Sequence, residues 1–278
     1  MVKIMSDSST LYSVAEGKRA GVDIVPLSVQ AGDRSYRELE EIDTPSFLQL
    51  IQDGHMPTSS QPGVGETMEH YRQCGEDEIL NITMADGLSG TYSSACCARE
   101  NVENAERIHV WDSRTLCGPQ RHLVNCAAAL AKQGRTARQI LQVLEEKAAR
   151  CKSFLIPQDF GFLKRGGRLT PLAAAMGGLL KLVPVMTQTK DCKRLEKFTL
   201  KRTFSKAVAS VLDEFEKLGM IRGYKFYITH GCAPERAEAA RRQILARWPG
   251  AEVELYLLTP AFLTQGGPQC VAIQGILA

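Results

Sequence analysis

The sequence lacks the cysteine pairs of a zinc site or of a disulfide framework. Its nine cysteines are scattered, no two of them form a C-x-x-C pair, and only Cys96 and Cys97 are adjacent. Scattered cysteines of this kind usually serve as small buried hydrophobic residues in proteins of a reducing compartment. We therefore predict neither a bound metal nor a disulfide-stapled secreted domain.

Unbroken apolar runs are missing as well. The most apolar stretch, residues 169–186, is interrupted by Lys181 and Pro184 and falls short of a membrane-spanning helix. The N-terminus reaches Ser6 and Asp7 within a few residues, which the apolar region of a secretory signal does not tolerate. These two observations predict a cytoplasmic protein without a transmembrane segment.

Aromatic residues and basic clusters are scarce. Only 6% of the residues are aromatic whereas 44% are hydrophobic, so the core must consist mainly of Val, Ile, Leu and Ala, as in α/β proteins. The formal net charge is +3, and Lys and Arg do not interleave with aromatic residues as a nucleic-acid-binding surface requires. A length of 278 residues fits one large or two modest domains, and we predict two.

Three predicted strands of the N-terminal half end in acidic and hydroxyl residues. One runs into Asp7, the second into a turn that contains Asp86, and the third into Asp112. Because the carboxyl ends of parallel strands meet at one edge of a sheet, this pattern predicts an open, mostly parallel sheet with flanking helices and a ligand crevice at that edge.

The chain is predicted to divide near Lys152. Residues 1–152 form an N-terminal α/β domain, and residues 153–278 form a C-terminal α+β domain in which helical spacing indicates a helix over 203–218. Within the first domain, three further elements are predicted by periodicity and turn residues. They are a strand over 23–29, a loop over 56–62 and a helix over 93–106.

Two motifs approach enzyme signatures without matching them. Residues 87–91 resemble the nucleophile elbow G-x-S-x-G, but Thr91 stands where the second glycine belongs and no hydrolase order of Ser, Asp and His is evident. A serine hydrolase that uses Ser89 stays open as an alternative. Residues 165–168 combine glycine with arginine but lack the spacing of a phosphate-binding loop, so they fit a tight turn with solvated arginines equally well.

Four separated motifs lie along the chain: D-S-S at residues 7–9, S-S-Q-P at 59–62, G-L-S-G-T-Y at 87–92 and L-K-R-G-G-R-L at 163–169. They resemble, in this order, the D-S-S, T-S-Q-P, G-L-S-G-T-Y and L-K-K-G-G-R-I motifs of the DegV family of bacterial fatty-acid-binding proteins. Their order and spacing also agree with the family. The resemblance extends from Asp7 almost to the C-terminus and implies a DegV-like two-domain fold.

The resemblance also implies a function. By this resemblance a fatty acid is expected at the domain interface, with its carboxylate held by hydroxyls that carry over to Ser59 and Ser89 and with Ser60 and Thr91 as neighbours. Such hydroxyls, together with amides at a helix N-terminus, give an anion the charge-assisted hydrogen bonds that it needs on leaving water. Serine is then a hydrogen-bond donor, and neither an enzymatic step nor a cofactor is expected.

The acyl chain and a protein partner follow from the same resemblance. An apolar helix is predicted over 171–180, and its small residues beside two leucines are expected to leave room for the apolar tail: Ala173, Ala174, Ala175, Gly177 and Gly178 beside Leu179 and Leu180. In the family such a carrier presents its acid to a separate fatty acid kinase, and we expect Arg168 and Arg202 near the entrance or the partner. A lipid-sensing adaptor without a kinase fits the sequence equally well.

The sequence departs from the family pattern at two places. Gln265 stands where many relatives have the histidine of H-T-G-P-G, and it can donate a hydrogen bond but cannot become cationic. Ala85 and Asp86 replace two serines before G-L-S-G, which brings a carboxylate close to the expected anion site. Gln265 is therefore predicted to contact the ligand carboxylate as a neutral donor.

Overall fold

The computed structural model describes residues 1–176 and 182–278, which divide into two compact units. The first unit contains Met1–Ala149 and the short segment Thr259–Ala261, and the second contains Arg150–Leu258 and Phe262–Ala278. Four residues of the expected tail site lie outside the described residues: Gly177, Gly178, Leu179 and Leu180. Among the helices in the described ranges, none has both the length and the apolar character needed to cross a bilayer.

Seven strands and six helices form the first unit. The strands are β1 (Val2–Asp7), β2 (Val22–Val25), β3 (Ser28–Ala31), β4 (Arg34–Arg37), β5 (Pro57–Ser60), β6 (Glu78–Thr83) and β7 (Ile108–Asp112). The helices are α1 (Val14–Ala20), α2 (Thr44–Gln52), α3 (Val64–Gln73), α4 (Thr91–Glu100), α5 (Cys117–Lys132) and α6 (Ala137–Ala149).

Four of these strands form a parallel sheet in the order β2-β1-β6-β7. Every side chain of β6 from Ile79 onward is buried, as expected for a parallel strand that is covered on both faces. Helices α3 and α4 pack on one side through Tyr71 and Ala98. The predicted α/β fold with a parallel sheet is confirmed, and the carboxyl ends of β1, β6 and β7 meet at one edge.

A separate three-stranded antiparallel sheet, in the order β4-β3-β5, differs from the prediction. The strand expected over 23–29 is split into β2 and β3 at Pro26, because proline has no N–H to continue the ladder. The loop expected over 56–62 begins as strand β5, in which Ser59 lies opposite Val29. Ser59 is therefore held by a sheet rather than by an irregular turn.

The second unit is built on one six-stranded mixed sheet in the order β10-β9-β8-β13-β11-β12. The strands are β8 (Cys151–Ile156), β9 (Val183–Gln188), β10 (Leu195–Lys201), β11 (Tyr224–His230), β12 (Glu252–Leu257) and β13 (Val271–Leu277). The helices are α7 (Phe160–Gly166), α8 (Pro171–Ala174), α9 (Phe204–Lys217), α10 (Pro234–Arg247) and α11 (Pro260–Gly266), of which α11 begins in the segment assigned to the first unit.

Aromatic side chains organise the core of the second unit. Phe154, Phe215 and Phe226 are fully buried and lie in edge or tilted contact, with ring centroids 5.3–5.4 Å apart. Phe226 also stacks on Trp248 at 5.3 Å. Helix α9 closes this core; Thr203 caps its N-terminus by accepting a hydrogen bond from the Lys206 amide, which matches the helix predicted over 203–218.

Two predicted helices are shorter than expected. Helix α4 covers Thr91–Glu100 instead of 93–106, and Asn104 in a left-handed conformation follows it, where a right-handed helix cannot continue. Helix α8 covers only Pro171–Ala174 of the predicted 171–180, and the described chain continues to Met176.

Candidate functional site

Two of the predicted ligand-binding motifs meet in the first unit. A side-chain carbon added to Gly90 would lie 3.2 Å from the Gln61 carboxamide, so Gln61 rests directly on this glycine. Ser94 of α4 donates a hydrogen bond to the Pro62 carbonyl at 2.9 Å. The segment that follows Ser59 therefore packs against the turn that carries Ser89.

The hydroxyls of the second motif form a pair at the start of α4. Ser89 Oγ lies 2.8 Å from Thr91 Oγ1, and the Thr91 amide donates to Ser89 Oγ at 3.3 Å. The N-cap residue is Gly90, which has no side chain to satisfy the first amides of the helix. The positive end of the α4 dipole and two hydroxyls thus occupy one place, which is the arrangement that binds anions.

Ser59 and Ser60 differ in exposure. Ser59 is half-buried in β5, whereas Ser60 is exposed and lies opposite Ser28. Alternating side chains of a strand point to opposite faces. Ser59 and Ser60 therefore point to opposite faces of the sheet, and Ser59 is the one that is partly buried.

A small cavity lies beside Thr91. Its volume is about 10 Å³, which is room for one water molecule and not for an acyl chain. Five of its eight lining residues are polar, and the eight come from five structural elements and their connections: Ser6, Asp7, Val25, Pro62, Thr67, Asn81, Thr91 and Ala95. These residues give the sheet edge a polar interior beside the hydroxyl pair.

Asp7 is buried in this polar interior. Its Oδ2 accepts a hydrogen bond from the Met84 amide at 3.0 Å, and its Oδ1 accepts one from the Ser9 amide at 2.9 Å. Gln120 of α5 donates to Ser6 Oγ at 3.2 Å and lies beside the same carboxyl group. Burial raises the pKa of Asp7 above its ordinary value despite these hydrogen bonds, which favour the ionised form.

A second buried carboxyl group, Glu38, was not identified from the sequence. Ser8 Oγ donates to its Oε1 at 2.5 Å, and the Ala261 amide donates to its Oε2 at 2.7 Å. Ser8 Oγ in turn accepts from the Leu27 amide at 2.8 Å. Burial, with a smaller contribution from the Asp7 charge, raises the pKa of Glu38 to about 7.

The remaining predicted site residues belong to the second unit. Gln265 lies at the end of α11, and a side-chain carbon added to Gly166 would lie 2.0 Å from its Oε1. The Gln265 side chain can therefore occupy this position only because residue 166 has no side chain. Arg168 donates to the Gly166 carbonyl at 2.5 Å, and partial burial lowers the pKa of its guanidinium group. Arg202 is exposed just before α9.

Metal ligands are not grouped in the described parts of the chain. Residues 1–176 and 182–278 contain no cluster of three or more His, Cys, Asp or Glu residues placed to hold a metal ion. The hydrogen bonds of Ser89 Oγ in these ranges join it to Thr91. The hydroxyl thus lies among donors, with no histidine hydrogen-bonded to it there.

Comparison with known proteins identifies a family that matches almost the whole chain. The family model described as "Uncharacterised protein, DegV family" matches residues 1–277. A DegV domain-containing protein of Halalkalibacterium halodurans is 31% identical over 278 residues, which cover 98% of this chain and 97% of that protein.

Solved structures with the same fold include two fatty-acid-binding proteins. DegV from Bacillus subtilis, described as a fatty acid binding protein, is 28% identical and superposes with a TM-score of 0.86 over 100% of this chain and 99% of its own. A DegV family protein from Thermus thermophilus, also described by its fatty acid binding, is 26% identical, with a TM-score of 0.90 and the same coverage.

Proposed function

Because this chain belongs to the DegV family, whose model spans residues 1–277, we propose that it binds a long-chain fatty acid and does not transform it. The carboxylate is held at the start of α4 by Ser89 and Thr91, with Ser59 of β5 as a further donor. Ser60, the predicted neighbour, points to the opposite face of that strand and is assigned no contact with the carboxylate. Gln265 of the second unit is a further donor to the carboxylate, and Ala173–Ala175 and the small residues after them serve the acyl chain.

The observation that carries the proposal is the meeting of two hydroxyl motifs at a helix N-terminus whose N-cap residue is glycine. Gln61 rests on Gly90, and Ser89 Oγ and Thr91 Oγ1 lie 2.8 Å apart beside the first amides of α4. Hydroxyls and amides of this kind stabilise a carboxylate without becoming charged themselves. Each methylene of the chain that is buried adds about 0.8 kcal/mol of gross stabilisation.

The first test is the lipid content of the purified protein. We expect protein from a bacterial host to contain one fatty acid per chain, detected by native mass spectrometry and identified after denaturation and extraction. Delipidated protein should then take up hexadecanoic or oleic acid in a titration. Refusal of saturated and unsaturated acids by folded, delipidated protein rejects fatty-acid binding.

The second test concerns the head-group residues. Replacing Ser89 by alanine should weaken hexadecanoic acid binding roughly tenfold, because a hydrogen bond to a charged group is lost. Ser205, an exposed serine at the start of α9, offers a matched control. Ser205→Ala should bind like the unchanged protein, and equal affinities of the two variants contradict the assigned site.

The proposed partner is a fatty acid kinase in the cytoplasm, and Arg168 and Arg202 are proposed to lie at the entrance or the partner contact. A kinase that phosphorylates the bound acid should release acyl phosphate only when the loaded carrier is present, and Arg202→Ala should reduce that stimulation. Binding without any stimulation favours a lipid-sensing adaptor. Labelling of Ser89 by a fluorophosphonate favours the hydrolase alternative.

A further inference from the structure

The loop after β6, residues 84–90, is held by carboxyl groups from both neighbouring strands. We call it the β6 loop. Asp7, at the end of β1, accepts the Met84 amide at 3.0 Å, and Asp112, at the end of β7, accepts the Asp86 amide at 3.1 Å. We infer that Asp7 and Asp112 are positioning residues that fix the β6 loop and, through it, the Ser89 hydroxyl.

The sheet order explains how the two carboxyl groups reach one loop. Strand β6 lies between β1 and β7, and the parallel strands end at the same edge. A residue at the end of either neighbour is therefore beside the first residues of the β6 loop. The amide between these two also has a fixed acceptor, because the Thr115 carbonyl accepts a hydrogen bond from the Ala85 amide at 2.9 Å. Three consecutive amides of the loop are thus fixed.

Asp112 does more than accept one amide. The same Oδ1 atom accepts the Arg114 amide at 2.8 Å, and the Ser113 amide donates to the Thr83 carbonyl at 3.1 Å. The turn after β7 is therefore held by the same carboxyl oxygen that holds the β6 loop. Loss of that oxygen leaves the Asp86 amide without its acceptor.

Asp7 is itself fixed by further hydrogen bonds. Ser9 Oγ lies within hydrogen-bond distance of both Asp7 Oδ1 and Gln120 Oε1. Gln120 Nε2 donates to Ser6 Oγ at 3.2 Å. The carboxyl group that accepts the Met84 amide is therefore anchored to β1 and to α5.

Burial raises the pKa of both Asp7 and Asp112 above their ordinary values, and the nearby Asp86 charge raises the pKa of Asp112 further. The hydrogen bonds that the two carboxyl groups accept from backbone amides act in the opposite direction, because they favour the ionised form.

The inference rests on the proposed fatty-acid binding and is tested by a double-mutant cycle with hexadecanoic acid as the probe. We expect Asp112→Ala to weaken binding roughly fivefold, because the loop loses one partly buried hydrogen bond. In the double variant Asp112→Ala, Ser89→Ala, the loss of affinity should be smaller than the product of the two single losses, because both changes act on the same contact between Ser89 and the ligand. Asp112→Asn keeps the accepting oxygen and should stay within about twofold of the unchanged protein.

A matched control and a ligand-free measurement complete the test. Asp43 accepts a hydrogen bond from the Ser46 amide at 2.8 Å at the start of α2, so Asp43→Ala removes a similar hydrogen bond elsewhere. In the double variant with Ser89→Ala, the loss of hexadecanoic acid affinity should equal the product of the two single losses. Hydrogen exchange in the ligand-free protein should show faster exchange at the Asp86 amide in Asp112→Ala, with β1 and β2 unchanged.

The outcomes separate the two ideas. If hexadecanoic acid does not bind the unchanged protein, the proposed function fails, and hydrogen exchange still decides whether Asp112 fixes the loop. If the acid binds but the losses of Asp112→Ala and Ser89→Ala multiply, or Asp112→Asn is as weak as Asp112→Ala, the positioning role is wrong. Asp7→Asn, which keeps the acceptor for Met84, should likewise bind within about twofold of the unchanged protein.

Discussion

The two units of the chain differ in charge and in what fills their interiors. The first contains 14 Lys and Arg against 21 Asp and Glu residues, and the second contains 20 against 10. The first buries carboxyl groups, hydroxyls and a glutamine at the edge of its parallel sheet, whereas the second buries a cluster of phenylalanines. The formal charge of +3 therefore conceals an acidic unit with a polar interior and a basic unit with an aromatic core.

This difference indicates where binding chemistry and stability reside. Polar groups in a protein interior contribute little net stability, but they fix geometry when all of them are hydrogen-bonded. Aromatic burial contributes stability and no specificity for an anion. We therefore expect changes in the second unit to act mainly on unfolding, and changes at the sheet edge of the first to act on pH dependence and ligand affinity.

The largest effect is expected in the aromatic core. Phe226 is fully buried against Phe215 and Trp248, so Phe226→Ala should lower the free energy of unfolding of the second unit by about 4 kcal/mol. Denaturation is followed by Trp248 fluorescence in a Trp111→Phe background, because the sequence contains two tryptophans. Exposed Leu218 is the control, and a loss at Phe226 no larger than that of Leu218→Ala contradicts the comparison.

The next effect is a pH dependence that belongs to the first unit. The pKa of Glu38 is raised from 4.5 to about 7, so the native state binds this proton more tightly than the unfolded state. The stabilisation of the folded state by protonated Glu38 is complete below the pKa of this group in the unfolded chain. It is lost as the pH rises through the pKa of Glu38 in the folded protein. Between pH 5 and 8, the protein should lose about 2 kcal/mol relative to Glu38→Gln.

Two comparisons make this measurement specific. The pH profile of unfolding is recorded for Glu38→Gln and for Glu145→Gln, whose side chain is exposed on α6. Glu145→Gln should keep the slope of the unchanged protein. Burial raises the pKa of the Cys270 thiol in the second unit to about 12, so this group should not contribute to the slope between pH 5 and 8. An identical slope for all three proteins rules out the assigned role of Glu38.

How far the sequence led depends on the range of the interactions. The parallel sheet was predictable because strand-end residues such as Asp7 and Asp112 repeat a local pattern, and α9 because its spacing and its cap are local. Glu38 was not, since its acceptor role depends on Ala261, 223 residues away. Nor does any local sequence pattern indicate that Thr259–Ala261 belongs to the first unit.

Site residues show the same division. The meeting of the Ser59 and Ser89 motifs followed from a family resemblance, whereas the strand that holds Ser59 was missed because its short polar sequence lacks the alternation that indicates a strand. The split at Pro26 follows from the missing proline amide and was predictable in principle. The contact between Gly166 and Gln265 joins residues that only the folded chain brings together.

A smaller effect compares one glycine from each unit. Gly65 of α3 has open space around it, whereas a side-chain carbon at Gly166 would meet Gln265 Oε1. Gly65→Ala should stabilise by about 0.5 kcal/mol through helix propensity, while Gly166→Ala should destabilise by about 1 kcal/mol because Gln265 must move. The Gln265→Ala background should remove that cost, as thermal unfolding of the double variant will show, and an unchanged cost shows that another contact is responsible.

The smallest effect compares surface arginines that sit in opposite electrostatic environments. Arg37 of the acidic unit pairs with Glu40 and Glu66, and Arg247 of the basic unit pairs with Asp213 and Glu216. Surface ion pairs of this kind contribute at most about 1 kcal/mol.

Removing a cation from each unit should separate the pair energy from the background charge. Arg37→Ala loses its ion pairs and adds to the negative excess of its unit, whereas Arg247→Ala loses its pairs but relieves a positive excess. We expect Arg37→Ala to cost about 0.5 kcal/mol more than Arg247→Ala at low salt, and the difference to vanish at high salt because exposed charges are screened. Urea denaturation at two salt concentrations measures both, and a difference that survives screening must come from side-chain packing instead.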